Sequence, residues 1–241
     1  WTRDFKGWIN RALPWALFAA AALGLGIMMG AAWAYESLNF GGYWAWDPVE
    51  NASLVPWLVL VAGIHTLLIY KHTGYSLHST YTFFILGFIL ILYSTFLTRS
   101  GILGDTSVHA FTDLGMNGQI YMFMYTLIWL PAVAAAKSRN QSLLFAGIAV
   151  VLALISYYLP ALAFIAILGG IVLWLVMQSR LVPQPIQKEE ETSSREFWMF
   201  VGSLVLFLAA MLIIAMTSIQ VFNTFMGLIT GNEKIMEPLA M

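Results

Sequence analysis

The sequence predicts an all-α, polytopic transmembrane helix bundle of about seven spans, and three observations lead there. Hydrophobic residues make up 60% of the chain and charged ones only 10%, where soluble domains carry roughly 25% charged residues. Apolar runs recur at lengths close to the ~20 residues that carry a helix across the hydrocarbon core. Lys and Arg gather in alternate loops, as in a chain threaded back and forth across a bilayer.

The runs are 13–35, 53–70, 80–98, 119–136, 142–158, 160–177 and 197–217. The fifth and sixth form one apolar stretch, broken at Tyr157-Tyr158-Leu159-Pro160. Pro160 suits the first turn of a new helix, where its missing N–H costs nothing. Two spans joined by a tight turn are therefore expected. Arg3, Lys6, Arg11, Lys71, Lys137, Arg139, Arg180, Lys188 and Arg195 fall on one side of this threading; only Arg99 and Lys234 fall on the other. The first side is read as cytoplasmic. Segment 36–57 and the 99–118 loop then face outward, and 179–196 is a cytoplasmic loop. Pro183 and Pro185 stop the sixth helix, and Ser193 with Glu196 forms a capping box for the last. After it, SIQVFNTFMGLITGN is expected as an amphipathic surface helix.

Several function classes are closed at this stage. With no cysteine, the chain has no disulfide, Fe–S cluster or thiolate zinc site, and no covalent haem attachment of its own. A net charge of −1 gives no reason to expect a nucleic-acid partner. Trp1 in place of Met, with no cleavable signal, reads as an internal piece of a longer protein. The whole of 1–241 is taken as a single transmembrane domain of that protein.

Polar chemistry concentrates in GGYWAWDPVENASLVPW, residues 41–57. Asp47, Pro48 and Glu50 have the order of N-cap, N1 and N3, and start a helix. Pro56 follows, so a short surface helix is expected to end there and the second span to begin. Trp44, Trp46 and Trp57 fit an interfacial aromatic belt. That reading leaves Gly41 and Gly42 unexplained; glycines before Tyr43-Trp44-Ala45-Trp46 also allow a flat ligand to approach the backbone, with indoles to stack on it. Belt and platform both stand on these residues alone.

Of the four histidines, His72 and His78 lie in a short loop beside Lys71 and read as solvated. His65 sits about 12 Å down a helix from Trp57, near mid-membrane. It reads either as a helix–helix hydrogen bond or as an axial ligand to haem iron. His109 lies in the outer 99–118 loop, either solvated or functional. Arg99 opens the same loop, and a guanidinium there pairs well with carboxylates such as haem propionates.

Read whole, GGYWAWDPVENASLVPWL closely resembles the tryptophan-rich WWD segment of haem-handling membrane proteins, in the form found in the CcmF family of system I cytochrome c maturation. GIHTLL in the next span and FLTRSGIL…SVHAF downstream agree in order and spacing, as does SSRE before the last span. The resemblance covers most of the chain. It implies that His65 is one of a transmembrane pair ligating a haem b, and that His109 is one of an outer pair serving haem held at the WWD segment. Trp44, Trp46, Asp47 and their neighbours Gly41, Gly42, Tyr43 and Trp57 become the platform; Tyr43 stands where many relatives have Trp. The second member of each pair is absent, since no histidine precedes His65 and none follows His109.

The implied activity is delivery of haem to apocytochrome c at the outer face of the bacterial inner membrane, as a component of a haem lyase (holocytochrome c synthase). The implied partners are the haem chaperone CcmE, apocytochrome c and components of the CcmH and CcmI type. No catalytic residue of the chain stands out, and the transmembrane haem b becomes an electron relay. A CcmC-like or system II haem-delivery protein is the near alternative. A cofactor-free transporter or structural membrane subunit is the distant one.

Overall fold

In a computed structural model, the structure describes residues 7–37, 42–103, 107, 125, 129, 133, 136–182 and 191–231. Every regular element among them is a helix: α1 (Ile9–Ser37), α2 (Pro48–Thr73), α3 (Leu77–Arg99), α4 (Arg139–Tyr158), α5 (Pro160–Leu181), α6 (Arg195–Thr217) and α7 (Ile219–Thr230). Five of them, α1 to α4 and α6, are long and apolar enough to cross a membrane. The expected span 119–136 lies outside the described residues except at Tyr125, Trp129, Val133 and Ala136. Most of the 99–118 loop, including His109, and residues 183–190 of the 179–196 loop also lie outside them, as does Gly41.

The chain divides into two compact units. In the first, α1 packs on α2, and Val55, Val59 and Ala62 of α2 are fully buried against Phe83 and Leu90 of α3 and Ala210 of α6. A second cluster joins Ile9, Leu67, Tyr70, Leu77 and Val182. The first four come from the start of α1, the end of α2 and the start of α3, so those termini meet at one end of the unit. That is the end to which the Lys and Arg pattern assigns the cytoplasm. His72 and Glu196 lie close enough there to interact electrostatically, which brings the start of α6 to the same end.

The second unit pairs α4 with α5, and α5 with α7. Ser138 caps α4 by accepting from the Gln141 N–H at 3.2 Å, and Pro160 opens α5 directly after Leu159 closes α4. The split at Pro160 is the one the sequence indicated. Tyr125 ties this corner: its hydroxyl lies 3.1 Å from Ser156 Oγ and donates to the Leu162 carbonyl at 3.3 Å. The Tyr93 hydroxyl donates to Ser218 Oγ at 2.8 Å, just ahead of α7.

Two local expectations are corrected. No short surface helix ends at Pro56: α2 runs unbroken from Pro48 to Thr73 with Pro56 inside it, as proline does in membrane helices whose neighbours re-satisfy the freed backbone. The cap of α6 is also one residue later than expected. Ser194 Oγ accepts from the Phe197 N–H at 3.1 Å, while Glu196 pairs with Arg195 at 2.7 Å.

Candidate functional site

The loop between α1 and α2 is built backwards from the first turn of α2. Asp47 accepts from the Val49 N–H at 2.9 Å, and Glu50 reaches back to the Asp47 N–H at 3.2 Å. The capping box read from the sequence is therefore formed. Glu50 Oε2 also accepts from the Ala45 N–H at 2.9 Å. Asn51 Nδ2 donates to the Trp46 carbonyl at 2.9 Å. Those three bonds surround Trp46, whose φ is +56°. A left-handed backbone costs an L-residue roughly 1–2 kcal/mol, so it persists only where neighbours over-determine it.

The held loop displays aromatic rings. Trp44 and Trp46 meet edge to face, centroids 6.1 Å apart at 87°, and Trp46 remains 47% exposed. Tyr43, 60% exposed, stacks on Tyr35 at 4.4 Å and 16°. Gly42 borders open space: a Cβ there would meet only the Trp44 carbonyl oxygen, at 3.9 Å. Two polar atoms beside these rings, Trp44 Nε1 and Asn51 Oδ1, are buried and without a hydrogen-bond partner among the described residues. Each such atom costs about 1–3 kcal/mol, which a finished structural turn avoids.

Trp57 is placed differently. Its indole N–H donates to the Ala20 carbonyl of α1 at 2.9 Å, and its ring lies where a Cβ on Gly24 would come within 2.9 Å of Nε1. It fastens α2 to α1 below the aromatic loop.

His65 follows about 27 Å along α2 from Asp47, at 1.5 Å per residue. The loop and His65 are two places on one helix. His65 Nδ1 lies 2.7 Å from the Val61 carbonyl oxygen. A carbonyl only accepts, so Nδ1 carries the proton and Nε2 keeps the lone pair. In a neutral ring this tautomer leaves Nε2 without a proton, as a metal-ligating imidazole requires. Arg99 is exposed at the last turn of α3, and His72 is exposed at the last turn of α2.

Tyr35, Glu50 in its grip on Ala45, and Asn51 were not singled out as site residues from the sequence. Glu50 and Asn51 were visible as polar residues at a helix start, but what they hold lies several residues upstream. Nothing local distinguishes Tyr35 from other aromatics at the end of an apolar run.

A family model described as Cytochrome C assembly protein matches residues 3–103, from the start of α1 past the end of α3. The Pseudomonas aeruginosa cytochrome c-type biogenesis protein CcmF is 46% identical over 121 residues, 50% of this chain and 18% of that protein. The Bradyrhizobium diazoefficiens protein CycK is 40% identical over 141 residues, 58% of this chain and 21% of its own length. NrfE of Haemophilus influenzae is 38% identical over 148 residues, 59% of this chain and 22% of its own. The chain thus corresponds to about a fifth of these relatives' length. No solved structure matches it. The matched residues carry the whole aromatic loop, its clamp and His65, and over them the chain is similar to the cytochrome c assembly proteins.

Proposed function

We propose that this chain is the haem-presenting part of a cytochrome c maturation protein, with the α1–α2 loop as the surface that holds haem on its way to apocytochrome c. The observation that carries this reading is the exposed Trp46 indole set edge to face against the half-buried Trp44, kept outward by a strained backbone that a mere interfacial belt has no need of. The relatives' printed role in cytochrome c-type biogenesis supports the same direction. Here haem is cargo. Trp44, Trp46 and Tyr43 supply ring faces, and Gly42 leaves room beside them.

His65 belongs to a second place, inside the membrane. Its Val61 bond sets Nε2 as the ligating nitrogen for a haem b, whose iron supplies one-electron chemistry when bound. Arg99 and His109 serve the outer side in this reading, Arg99 as a cation for propionates and His109 as an iron ligand. The partner ligands to His65 and His109 then come from elsewhere in the longer protein. The partners are a CcmE-type haem chaperone, apocytochrome c with its CxxCH thiols, and CcmH- and CcmI-type components. The membrane is the bacterial inner membrane, with the loop on its periplasmic side.

Absorption spectra of the full-length protein test this. Protein made with ample haem is expected to show a b-type Soret band that His65→Ala abolishes. His109→Ala is expected to keep that band yet stop cytochrome c maturation in cells. No Soret band in the unsubstituted protein, or normal maturation with His109→Ala, defeats the corresponding assignment.

A further inference from the structure

We infer that Glu50 and Asn51 are positioning residues for the aromatic surface, holding Trp46 in the one backbone conformation that presents its indole to a flat ligand. This rests on the haem reading of the loop and adds the residues that set its geometry. The Trp46 carbonyl and the Asp47 N–H are the two ends of one peptide group. Asn51 Nδ2 holds the carbonyl at 2.9 Å and Glu50 Oε2 holds the N–H at 3.2 Å. That peptide plane cannot rotate without breaking both bonds. The same Oε2 anchors the Ala45 N–H at 2.9 Å, so the chain is gripped before Trp46 and after it. Between the grips, a φ of +56° throws the indole outward, edge to face with Trp44.

A helix cap alone does not account for this. Capping α2 requires the Asp47 carboxylate and the Glu50–Asp47 bond; the bonds to Ala45 and to the Trp46 carbonyl add nothing to the helix. Asn51 is only 1% exposed, and its Oδ1, like the buried Trp44 Nε1, lacks a partner among the described residues.

The test uses full-length protein labelled with 5-fluorotryptophan, the Trp46 resonance being assigned by its loss in Trp46→Phe. Haem b is the titrant, and the Trp57 resonance is the control for folding. Without haem, Glu50→Ala and Asn51→Leu are expected to shift or broaden the Trp46 signal and leave Trp57 in place. Each is expected to weaken the haem response of Trp46 by about tenfold, the span of a lost positioning contact. Glu50→Gln is expected to stay near the unsubstituted protein, because its amide oxygen still accepts from both N–H groups. An unmoved Trp46 signal in Glu50→Ala and Asn51→Leu overturns the clamp, whatever the loop binds. A moved signal with unchanged haem affinity overturns the positioning role and leaves the haem reading intact. A Trp46 signal indifferent to haem in the unsubstituted protein removes the haem reading, and this role with it.

Discussion

At Asp47 the carboxylate is already committed, since it accepts from the Val49 N–H at 2.9 Å in the first turn of α2. Its place in the tryptophan-rich loop therefore follows from helix capping, and its substitutions should separate by capping ability. Asp47→Ala is expected to lower stability by about 1 kcal/mol, while Asp47→Asn and Asp47→Ser, which also cap, stay close to the unsubstituted protein. Thermal unfolding in detergent, run beside haem absorbance, checks this; haem loss in Asp47→Asn at unchanged stability would instead put Asp47 against the ligand. The roles of Asp47, Pro48 and Glu50 were legible in the sequence because a helix start obeys local rules that span four residues. The backbone of Trp46 was not. Nothing local puts a tryptophan at φ +56°; that conformation follows from two side chains of α2 reaching back over it. The tautomer of His65 was equally hidden, because the sequence places the ring on a helix but does not say that its Nδ1–H donates to the Val61 carbonyl.

At the scale of elements, the loop's geometry depends on how α1 and α2 are joined beneath it. The Trp57 indole crosses to the Ala20 carbonyl, and the close approach is possible because residue 24 has no side chain. Gly24→Val is expected to push the indole away and destabilise the pair by about 1–3 kcal/mol, the usual cost of overpacking. Trp57→Phe loses the interhelical bond, worth roughly 0.6–2 kcal/mol in a membrane, together with part of the indole's packing. Because both act on one contact, the double variant should cost less than the two summed. Unfolding of the four proteins in one detergent measures it, and strict additivity would show that Gly24 and Trp57 do not act on each other. The helices themselves were readable to within a few residues, since apolar length and the Pro160 break are properties of the chain. Trp57 was read as belt or platform because its acceptor lies 37 residues away. Pro56 misled for a related reason: whether a proline ends a helix depends on the neighbours around it, and here it is buried in a continuous one.

For the whole molecule, the decisive question is which ends of the helices share a side of the membrane, because that sets the side to which the aromatic loop belongs. The Lys and Arg pattern puts the end bearing Ile9, Tyr70, Leu77 and Val182 in the cytoplasm, and their packing into one cluster supports a common side for those ends. On that assignment we propose that the aromatic loop, at the opposite end of α2, faces outward. The absence of cysteine from the chain makes this measurable with single introduced thiols and a membrane-impermeant maleimide applied to intact cells. Tyr43→Cys in the loop and Tyr158→Cys at the α4–α5 turn are expected to label from outside. Tyr75→Cys between α2 and α3, Ser138→Cys before α4 and Glu191→Cys before α6 are expected to label only after permeabilisation. Ser138 carries a further burden. The end of α3 at Arg99 is assigned outside and the start of α4 inside, so the chain between them must cross an odd number of times, which residues 119–136 would do once. Labelling of Ser138→Cys from outside, with Tyr43→Cys also outside, would show that this segment does not cross and would invert α4 and α5. Labelling of Tyr43→Cys only after permeabilisation would turn the entire molecule over, and with it the side on which an apocytochrome could meet the loop.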